Sequence, residues 1–353
     1  MDKLAVELLT LISFYACTDG GWTGCSLSLV SRRVREASRP ARFFSVSLVT
    51  SPNQVEQFLD CLHKERARSP DMLPRVRHLC LSLFGDGLET APTSSIGAPE
   101  TPSPPKTRAE FLASLHRRTQ HWRSAQVGLD EQYNRTIPAL FRAVAPDLHA
   151  LALVQVQWRS ASIIRCNFPL LEELMLVGGD PSFLPLALIP ADRPIYPSLK
   201  RLHHVLAWIG KDVDFQRWAA QAPNVTHLRV SRIDYHPQST VDSFESVICD
   251  SERDEQFFPR LQRAMIEPRP APAPSARISP AHVAFREFLV YLDRIADRAR
   301  VPVKVLPPLE EPKVVPGANP TQRCLERVKK EWLDRVVGGE GCWQEGMGGV
   351  YVP

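Results

Sequence analysis

Cysteine and histidine are the side chains best suited to metal binding or nucleophilic chemistry at neutral pH, and the chain has eight cysteines and ten histidines. The cysteines form no CxxC pair, and no cysteine and histidine set has the spacing of a zinc site. His203 and His204 are adjacent, but no further ligand follows at metal-binding spacing. We therefore expect reduced thiols, a histidine pair at the end of a strand, and neither a metal nor an organic cofactor.

Short motifs of the common enzyme classes are missing from the sequence. There is no GxSxG, no HExxH, no Walker A sequence and no GxGxxG after a predicted strand. The sequence therefore favours a protein that is not an enzyme. A hydrolase or transferase with an unfamiliar site in a groove is the least favoured alternative.

Charge argues against a nucleic-acid partner. The 43 basic and 39 acidic residues leave a net charge of +4, which falls short of the basic balance of a dedicated nucleic-acid binder. Arginines gather near the N terminus, at positions 32, 33, 35, 39 and 42. They could contact phosphates or form a nuclear localisation signal, but the interpretation that we favour is a solvated helix face.

The apolar run from Leu8 to Cys17 has the length of a signal-peptide core. It is preceded by Asp2 and Glu7 with a single Lys3, whereas a secretory signal begins with net positive charge. No other stretch approaches the roughly 18 apolar residues of a transmembrane helix. Together with reduced thiols, this predicts a cytoplasmic and/or nuclear protein that makes no membrane contact.

Helical periodicity begins at the N terminus. A first predicted helix carries an apolar stripe made of Leu4, Leu8, Leu11, Ile12 and Tyr15. Gly20-Gly21 interrupts it, because paired glycines favour a turn. One further helix is predicted, with Leu27, Val30 and Val34 on its apolar side. The period then changes to two at Phe44, Val46 and Leu48, which indicates a strand.

A capping box follows this strand. Ser51 is the predicted N-cap, Pro52 occupies the first helical position, and Gln54 lies at N3. The apolar residues beyond it recur at helical spacing. The sequence therefore predicts a helix here that ends near Pro70.

A motif of the form P-x-[LV]-x-x-L-x-[LV] then recurs along the chain. Its copies begin at Pro74, Pro146, Pro169, Pro197, Pro223 and Pro259. The copy at Pro197 ends in His204, and the copy at Pro259 has Ala264 at its central position. Three of the intervals lie in the range of about 20–29 residues that leucine-rich repeats use. Strands separated by helical crossovers stack in parallel, so the strands would line a concave binding surface.

The first 48 residues resemble the F-box motif as it occurs in fungal F-box proteins of the leucine-rich type. Residues 4–12 read LAVELLTLI and are similar to the opening L-P-x-E-L-L-x-x-I of that family, with Ala5 in place of the proline and Ser13 in place of a common aromatic. Residues 26–32 read SLSLVSR and are similar to S-L-x-L-V-S-R. Residues 42–48, RFFSVSL, match the end of the motif.

The expected fold class is therefore α/β, with an N-terminal helical F-box-like module followed by a leucine-rich-repeat-like solenoid of strands and helices. The module covers residues 1–48 and the degenerate solenoid residues 49–306. Within the solenoid, residues 89–106 are predicted to be a disordered insertion and residues 267–280 a proline-rich linker. Residues 307–353 form a C-terminal tail with a possible helix at 325–336.

The resemblance implies a substrate-recruiting adaptor of a cullin-RING ubiquitin ligase. Its helices would dock on the small Skp-type adaptor subunit, while the repeats hold an unknown protein substrate. The candidate docking residues are Leu4, Glu7, Leu8, Ile12, Leu27 and Val30. Two alternatives stay open: the array is a leucine-rich-repeat scaffold without a role in ubiquitin transfer, or the N-terminal stripe covers the first open end of the solenoid core.

Overall fold

A computed structural model describes eleven stretches of the chain. They are residues 4–49, 51–68, 73–83, 107–155, 166–180, 194–206, 212–235, 238–249, 257–272, 279–308 and 320–343. The predicted disordered insertion at 89–106 lies outside these residues. All eight cysteines lie within them, and each is a free thiol.

The described residues form an α/β fold around one parallel sheet. Its eight strands are β1 (Ser45–Leu48), β2 (His78–Ser82), β3 (Ala150–Val154), β4 (Glu173–Val177), β5 (Arg201–Val205), β6 (His227–Ile233), β7 (Arg263–Pro268) and β8 (Val303–Val305). The strands are neighbours in the order of the sequence. Each of the strands β2 to β7 therefore pairs with the strand before it and the strand after it, and β1 and β8 form the edges of the described sheet.

Nine helices accompany the strands in the described part of the chain. They are α1 (Val6–Ala16), α2 (Trp22–Val30), α3 (Arg32–Ser38), α4 (Pro52–Arg68), α5 (Arg108–Val144), α6 (Phe215–Gln221), α7 (Gln238–Cys249), α8 (Pro280–Arg298) and α9 (Pro320–Val336). A 3-10 turn, Gly341–Trp343, follows α9. The serine half of the predicted capping box of α4 is confirmed, because Ser51 Oγ accepts a hydrogen bond from the Gln54 N–H at 3.3 Å; Gln54 Oε1 accepts from the Val49 N–H at 2.9 Å.

The recurring motif occupies one register position in successive strands. Its central apolar residues are cross-strand partners along the sheet: Leu79, Leu151, Leu174, Leu202, Leu228 and Ala264. The last motif position is likewise aligned, and His204 stands there between Leu176 and Val230. The periodicity of the sequence is thus a real spatial repeat of strands.

The proline of the motif belongs to a recurring turn. The residue before the proline accepts a backbone hydrogen bond from the third motif residue in five copies, for example Leu171 N–H to Phe168 O at 3.4 Å and Val225 N–H to Ala222 O at 3.3 Å. Proline suits this turn because its ring holds φ near −65° and its missing N–H is not needed there. The turn delivers the chain into the next strand.

Helices α4 to α8 pack on one face of the sheet. The leucines and valines of the motif point to this face, where they join buried residues such as Leu62, Phe141, Trp218, Phe244 and Phe288 in the main core. Alternate side chains point to the other side, which we call the second face. It includes Cys80, Ala152, Met175, His203 and Arg229.

Two sequence predictions need correction. The single helix expected after Gly21 is two helices, α2 and α3, because Ser31 is extended at φ −161° and ψ 164° and its Oγ caps α3 by accepting from the Val34 N–H at 3.2 Å. The proline-rich linker cannot begin at residue 267, because Glu267 and Pro268 are the last residues of β7. Pro280, the last residue of that predicted linker, is the first residue of α8.

The second face was expected to be open, but α9 covers part of it. Cys324, Val328 and Trp332 recur every four residues and pack on the strands together with Trp343 of the following turn. The strand side chains beneath them are Cys80, Ala152, Val154, Met175, Val177, Val205 and Met265. The described C-terminal residues are therefore an ordered part of the sheet packing.

Candidate functional site

Exposed apolar side chains concentrate in the first two helices. Among the described residues, nine of the sixteen large hydrophobic side chains that are exposed lie between Leu4 and Val30. They are Leu4, Val6, Leu8, Leu11, Ile12, Tyr15, Trp22, Leu29 and Val30. Scattered apolar residues are normal on a protein surface, but a concentration of this kind marks an interaction site.

Each helix turns one apolar side outward. In α1 and the turn before it, the exposed Leu4, Leu8, Leu11, Ile12 and Tyr15 share one side because they recur at three- and four-residue spacing. In α2, the exposed Leu29 and Val30 lie seven and eight residues after the exposed Trp22, which is about two helical turns. We call these eight residues the apolar surface of the N-terminal module, where the N-terminal module is helices α1 to α3.

The predicted docking residues lie on or beside this surface. Leu4, Leu8, Ile12 and Val30 belong to it, Glu7 is exposed on α1, and Leu27 is half-buried in α2. Sequence reasoning missed Trp22 and Leu29, which are 73% and 80% exposed. The sequence signal for Trp22 was a tryptophan directly after the Gly-Gly turn, since large aromatic residues are common anchors at interfaces.

The module has a small core of its own. Leu9, Val34 and Ala37 are buried between α1 and α3. Thr10 Oγ1 donates a hydrogen bond to the Ala37 carbonyl at 3.0 Å, and the Arg33 guanidinium donates to the Leu4 carbonyl. The inner side of α1 therefore packs on α3 and forms hydrogen bonds with it. The outer side of α1 remains exposed.

Asp19 explains how α2 begins. Its carboxylate accepts from the backbone N–H of Gly21 at 3.2 Å and of Thr23 at 2.9 Å, and from the Thr23 hydroxyl at 2.6 Å. Gly20 and Gly21 have φ of +81° and +109°, which only glycine adopts without strain. The Asp-Gly-Gly sequence thus reverses the chain and caps α2 in one step.

Short contacts attach the module to the first strand. Ser45 Oγ accepts from the Gly20 N–H at 3.0 Å and donates to the Cys17 carbonyl at 2.9 Å, while the Ser47 N–H donates to the Gly20 carbonyl at 3.1 Å. The rings of Phe14 and Phe44 meet edge to face at 6.0 Å. The module is therefore held in a defined orientation on the edge of the sheet.

Two arginines of the N-terminal group are ion-paired, in contrast to the predicted solvated face. Arg39 Nε and an Arg42 terminal nitrogen lie 3.3 and 3.2 Å from Glu65 Oε2, and Arg68 lies 3.0 Å from Glu65 Oε1. The side chains of Arg39 and Arg42 are 13% and 10% exposed. Phosphate binding by Arg39 and Arg42 would have to break their ion pairs with the buried carboxylate of Glu65.

The histidine pair lies inside the protein. His203 Nε2 is 2.9 Å from Ser231 Oγ on the second face, whereas His204 points to the helices and meets the rings of Phe215 and Trp218 edge to face. Neither ring nitrogen of His204 has a hydrogen-bond partner in the described part of the chain. Burial lowers the pKa of His204 to about 3, so its ring is neutral at pH 7.

Asp180 is the acidic neighbour of His204. Its Oδ1 accepts from Trp218 Nε1 at 2.7 Å and lies 4.0 Å from His204 Nε2, while its Oδ2 accepts from the Asp214 N–H at 2.8 Å. Burial raises the pKa of Asp180 to about 6, against the opposing effect of these hydrogen bonds. The carboxylate therefore joins the loop after β4 to the start of α6, which is a structural task.

No cluster of three or more histidine, cysteine, aspartate or glutamate side chains suited to a metal ion occurs in the residues that the structure describes. Within the same residues, no helix combines the length and apolar character needed to cross a membrane. No family model, curated protein or solved structure matches the chain. Its function must therefore be argued from its own surfaces.

Proposed function

We propose that this protein is an F-box-type adaptor that recruits a protein substrate to a cullin-RING ubiquitin ligase. The N-terminal module would bind the Skp-type adaptor subunit through Leu4, Glu7, Leu8, Ile12, Leu27 and Val30, joined by Leu11, Tyr15, Trp22 and Leu29. The observation that carries the proposal is the outward apolar surface on a helical module fixed to the edge of a repeat array. The array itself would be a leucine-rich-repeat solenoid without catalytic activity.

The size of the apolar surface is adequate for a stable complex. Full burial of a large apolar side chain contributes about 1.5–3 kcal/mol. The eight side chains of this surface are 37–80% accessible, so covering them would contribute roughly 7–14 kcal/mol. The cost of association is about 4–15 kcal/mol, so these residues can supply most of the required free energy.

The exposure of the N-terminal apolar stripe also argues against the alternative that this stripe caps the core of the sheet. A cap buries its apolar side chains against the strand that it covers. Leu8 and Ile12 are 49% and 52% exposed, while the contacts with β1 are made by the Cys17 and Gly20 carbonyls, which accept from Ser45 Oγ and the Ser47 N–H. The outward stripe is thus left for a partner.

Co-purification with a Skp-type adaptor tests the proposal. Wild-type protein should retain the adaptor, and Leu8→Asp should lose it because a carboxylate would be buried in the contact. Leu170→Asp is the matched control, since Leu170 is 43% exposed on the array, far along the chain from the module. Absence of the adaptor from the wild-type preparation would refute the ligase role and favour a scaffold without ubiquitin transfer.

A further inference from the structure

The two faces of the sheet have different chemistry. The face toward the helices is lined by leucine and valine at nearly every motif position. On the second face, the buried side chains of β2 to β4 are mainly apolar, with Glu173 at the start of β4, whereas β5 to β7 present His203, Arg229, Ser231 and Glu267 beside the apolar Val205 and Met265. Buried ions contribute little to stability compared with apolar residues of similar size, so a purely structural interface would not require them.

Arg229 and Glu267 form a buried pair beneath the C-terminal residues. Arg229 donates to Glu267 Oε2 at 3.0 Å and to Ser231 Oγ at 3.2 Å, and it also donates to the Cys342 carbonyl. Glu267 Oε1 has no hydrogen-bond partner among the described residues, and neither does the indole nitrogen of Trp332 on α9. The segment from α9 to Trp343 therefore covers the second face without satisfying all of its polar atoms.

A largely buried ion pair fixes the register of α9, since the side chains of Arg335 and Glu173 are 18% and 16% exposed. Arg335 contacts both carboxylate oxygens of Glu173, the first residue of β4, with Nε at 3.0 and 2.9 Å. Trp343 Nε1 donates to Glu173 Oε1 at 3.0 Å, and its ring lies between those of His203 and His227 at 6.3 and 5.9 Å. Glu173 thus receives an arginine and a tryptophan N–H from the same short segment.

Glycines allow the chain to return to the sheet after α9. Gly338 and Gly341 have φ of +91° and +53°. A Cβ on Gly341 would approach the Arg335 side chain to 2.7 Å and the Glu331 carbonyl to 3.0 Å. The segment is therefore a compact unit, in which one helix and one turn present a defined set of side chains.

From these contacts we infer that the second face is a binding surface for an amphipathic helix and that residues 320–343 occupy it in the free protein. The partner is a protein helix with apolar side chains at i, i+4 and i+8, as in Cys324, Val328 and Trp332, and an arginine that reaches Glu173. A partner that also donates to Glu267 Oε1 satisfies an atom that α9 leaves unpaired. Only the identification of this helix as part of the ligase substrate rests on the proposed function.

Release of α9 would also change the packing beside the loop that connects α1 to α2. A ring carbon of Trp332 lies 3.5 Å from the position of a Cβ on Gly20, the residue that joins the module to Ser45 and Ser47. Exchange of α9 for a partner helix therefore changes the packing beside the loop between α1 and α2. Gly20 is not one of the eight residues of the apolar surface, so this contact does not involve the proposed adaptor-binding residues.

Peptide binding to the full chain tests the inference. Arg335→Glu places a like charge beside Glu173 and should release residues 320–343, whereas Arg335→Lys keeps the attraction and serves as the matched control. A fluorescent peptide of residues 320–343 should bind Arg335→Glu at least tenfold more tightly than it binds wild type or Arg335→Lys. The same peptide with Trp332→Ala should lose at least tenfold in affinity for Arg335→Glu.

Hydrogen exchange on the same proteins completes the test. Residues 320–343 should lose protection in Arg335→Glu while β3 to β5 keep theirs. Equal affinity of all three proteins for the peptide, or unchanged protection of α9 in Arg335→Glu, would overturn the inference. If Arg335→Glu does not unfold cooperatively, Arg335→Gln replaces it under the same criteria, and loss of the fold in both variants would show that α9 is not exchangeable.

Adaptor co-purification separates this result from the proposed function. Arg335→Glu leaves all residues of the apolar surface in place, so it should retain the Skp-type adaptor. Peptide exchange without adaptor binding would remove the ligase role and leave a helix-binding repeat protein. Adaptor binding without peptide exchange would remove this inference alone.

Discussion

Arg42, between α3 of the N-terminal module and β1, lies 3.2 Å from the carboxylate of Glu65, which is buried in α4. Arg39 shares the same carboxylate oxygen at 3.3 Å. One acidic residue thus joins the module to the first helix of the array. Its removal would take a shared charged partner from two largely buried guanidinium groups, although Arg39 would keep its pair with Glu36 at 2.8 Å.

Glu65→Gln should therefore destabilise the protein. The expected loss is roughly 2–4 kcal/mol in the free energy of unfolding, because the remaining arginines are only 10–13% exposed and lose a charged partner. Denaturant unfolding measures the change. Glu56→Gln is the control: its pair with Arg135 is exposed, so its loss should cost about 1 kcal/mol or less.

Leu8 and Leu9 are sequence neighbours with opposite environments. Leu9 is 6% exposed and Leu8 is 49% exposed. Leu9→Ala should lower the free energy of unfolding by about 2–4 kcal/mol, as expected for a truncated core leucine. Leu8→Ala should change it by about 0.5 kcal/mol or less. Similar losses in thermal or urea unfolding for both variants would mean that the outer side of α1 is packed.

Gly24 should tolerate no side chain. A Cβ there would lie 2.7 Å from the Arg42 carbonyl, so Gly24→Ala must separate α2 from the chain that leads into β1. We expect a loss of about 1–3 kcal/mol in unfolding free energy. Gly128→Ala in the exposed part of α5 is the opposite case, since a Cβ there meets nothing within 4 Å. That change should stabilise by about 0.5–1 kcal/mol.

His204 should make the protein sensitive to acid. Burial depresses its folded-state pKa to about 3, below the ordinary 6.5, so the unfolded chain binds the proton more readily in this interval. Stability is lost as the pH falls below about 6.5, and this residue accounts for a loss of about 2 kcal/mol between pH 7 and pH 5. His204→Leu, which restores the motif residue, should reduce the loss by that amount in denaturant unfolding at the two pH values.

Other buried groups set the background for this measurement. Burial lowers the pKa of His78 to about 4 and that of His203 well below its usual value, so both give a loss of the same sign that persists in His204→Leu. Asp180 has the opposite sign: its folded-state pKa is raised to about 6, so its contribution is present below pH 3.8 and is lost as the pH rises through 6. Asp180→Asn should therefore steepen the rise of stability from pH 5 to pH 7, and a flatter rise would contradict the assignment.

Local sequence signals accounted for many of the elements. The stripe from Leu4 to Tyr15, the capping box at Ser51 and the spacing of the proline motif correspond to α1, α4 and the aligned strands. Each of these signals depends on contacts between near neighbours or on one repeated unit. The break at Ser31 escaped detection because Leu27, Val30 and Val34 keep helical spacing across it, although the serine itself is a good N-cap.

Residue pattern alone determined that the chain alternates strands and helices and that α1 has one strongly apolar side, because periods of 2 and 3.6 residues follow from backbone geometry. Only the tertiary structure decided which apolar sides remain exposed. The stripes of α1 and α9 look alike as sequence, yet Leu8 faces outward while Val328 is buried on the sheet. Burial depends on distant complementary surfaces, here Glu173 for Arg335 and Ala37 for Thr10, and such pairings are not encoded in the spacing of either segment.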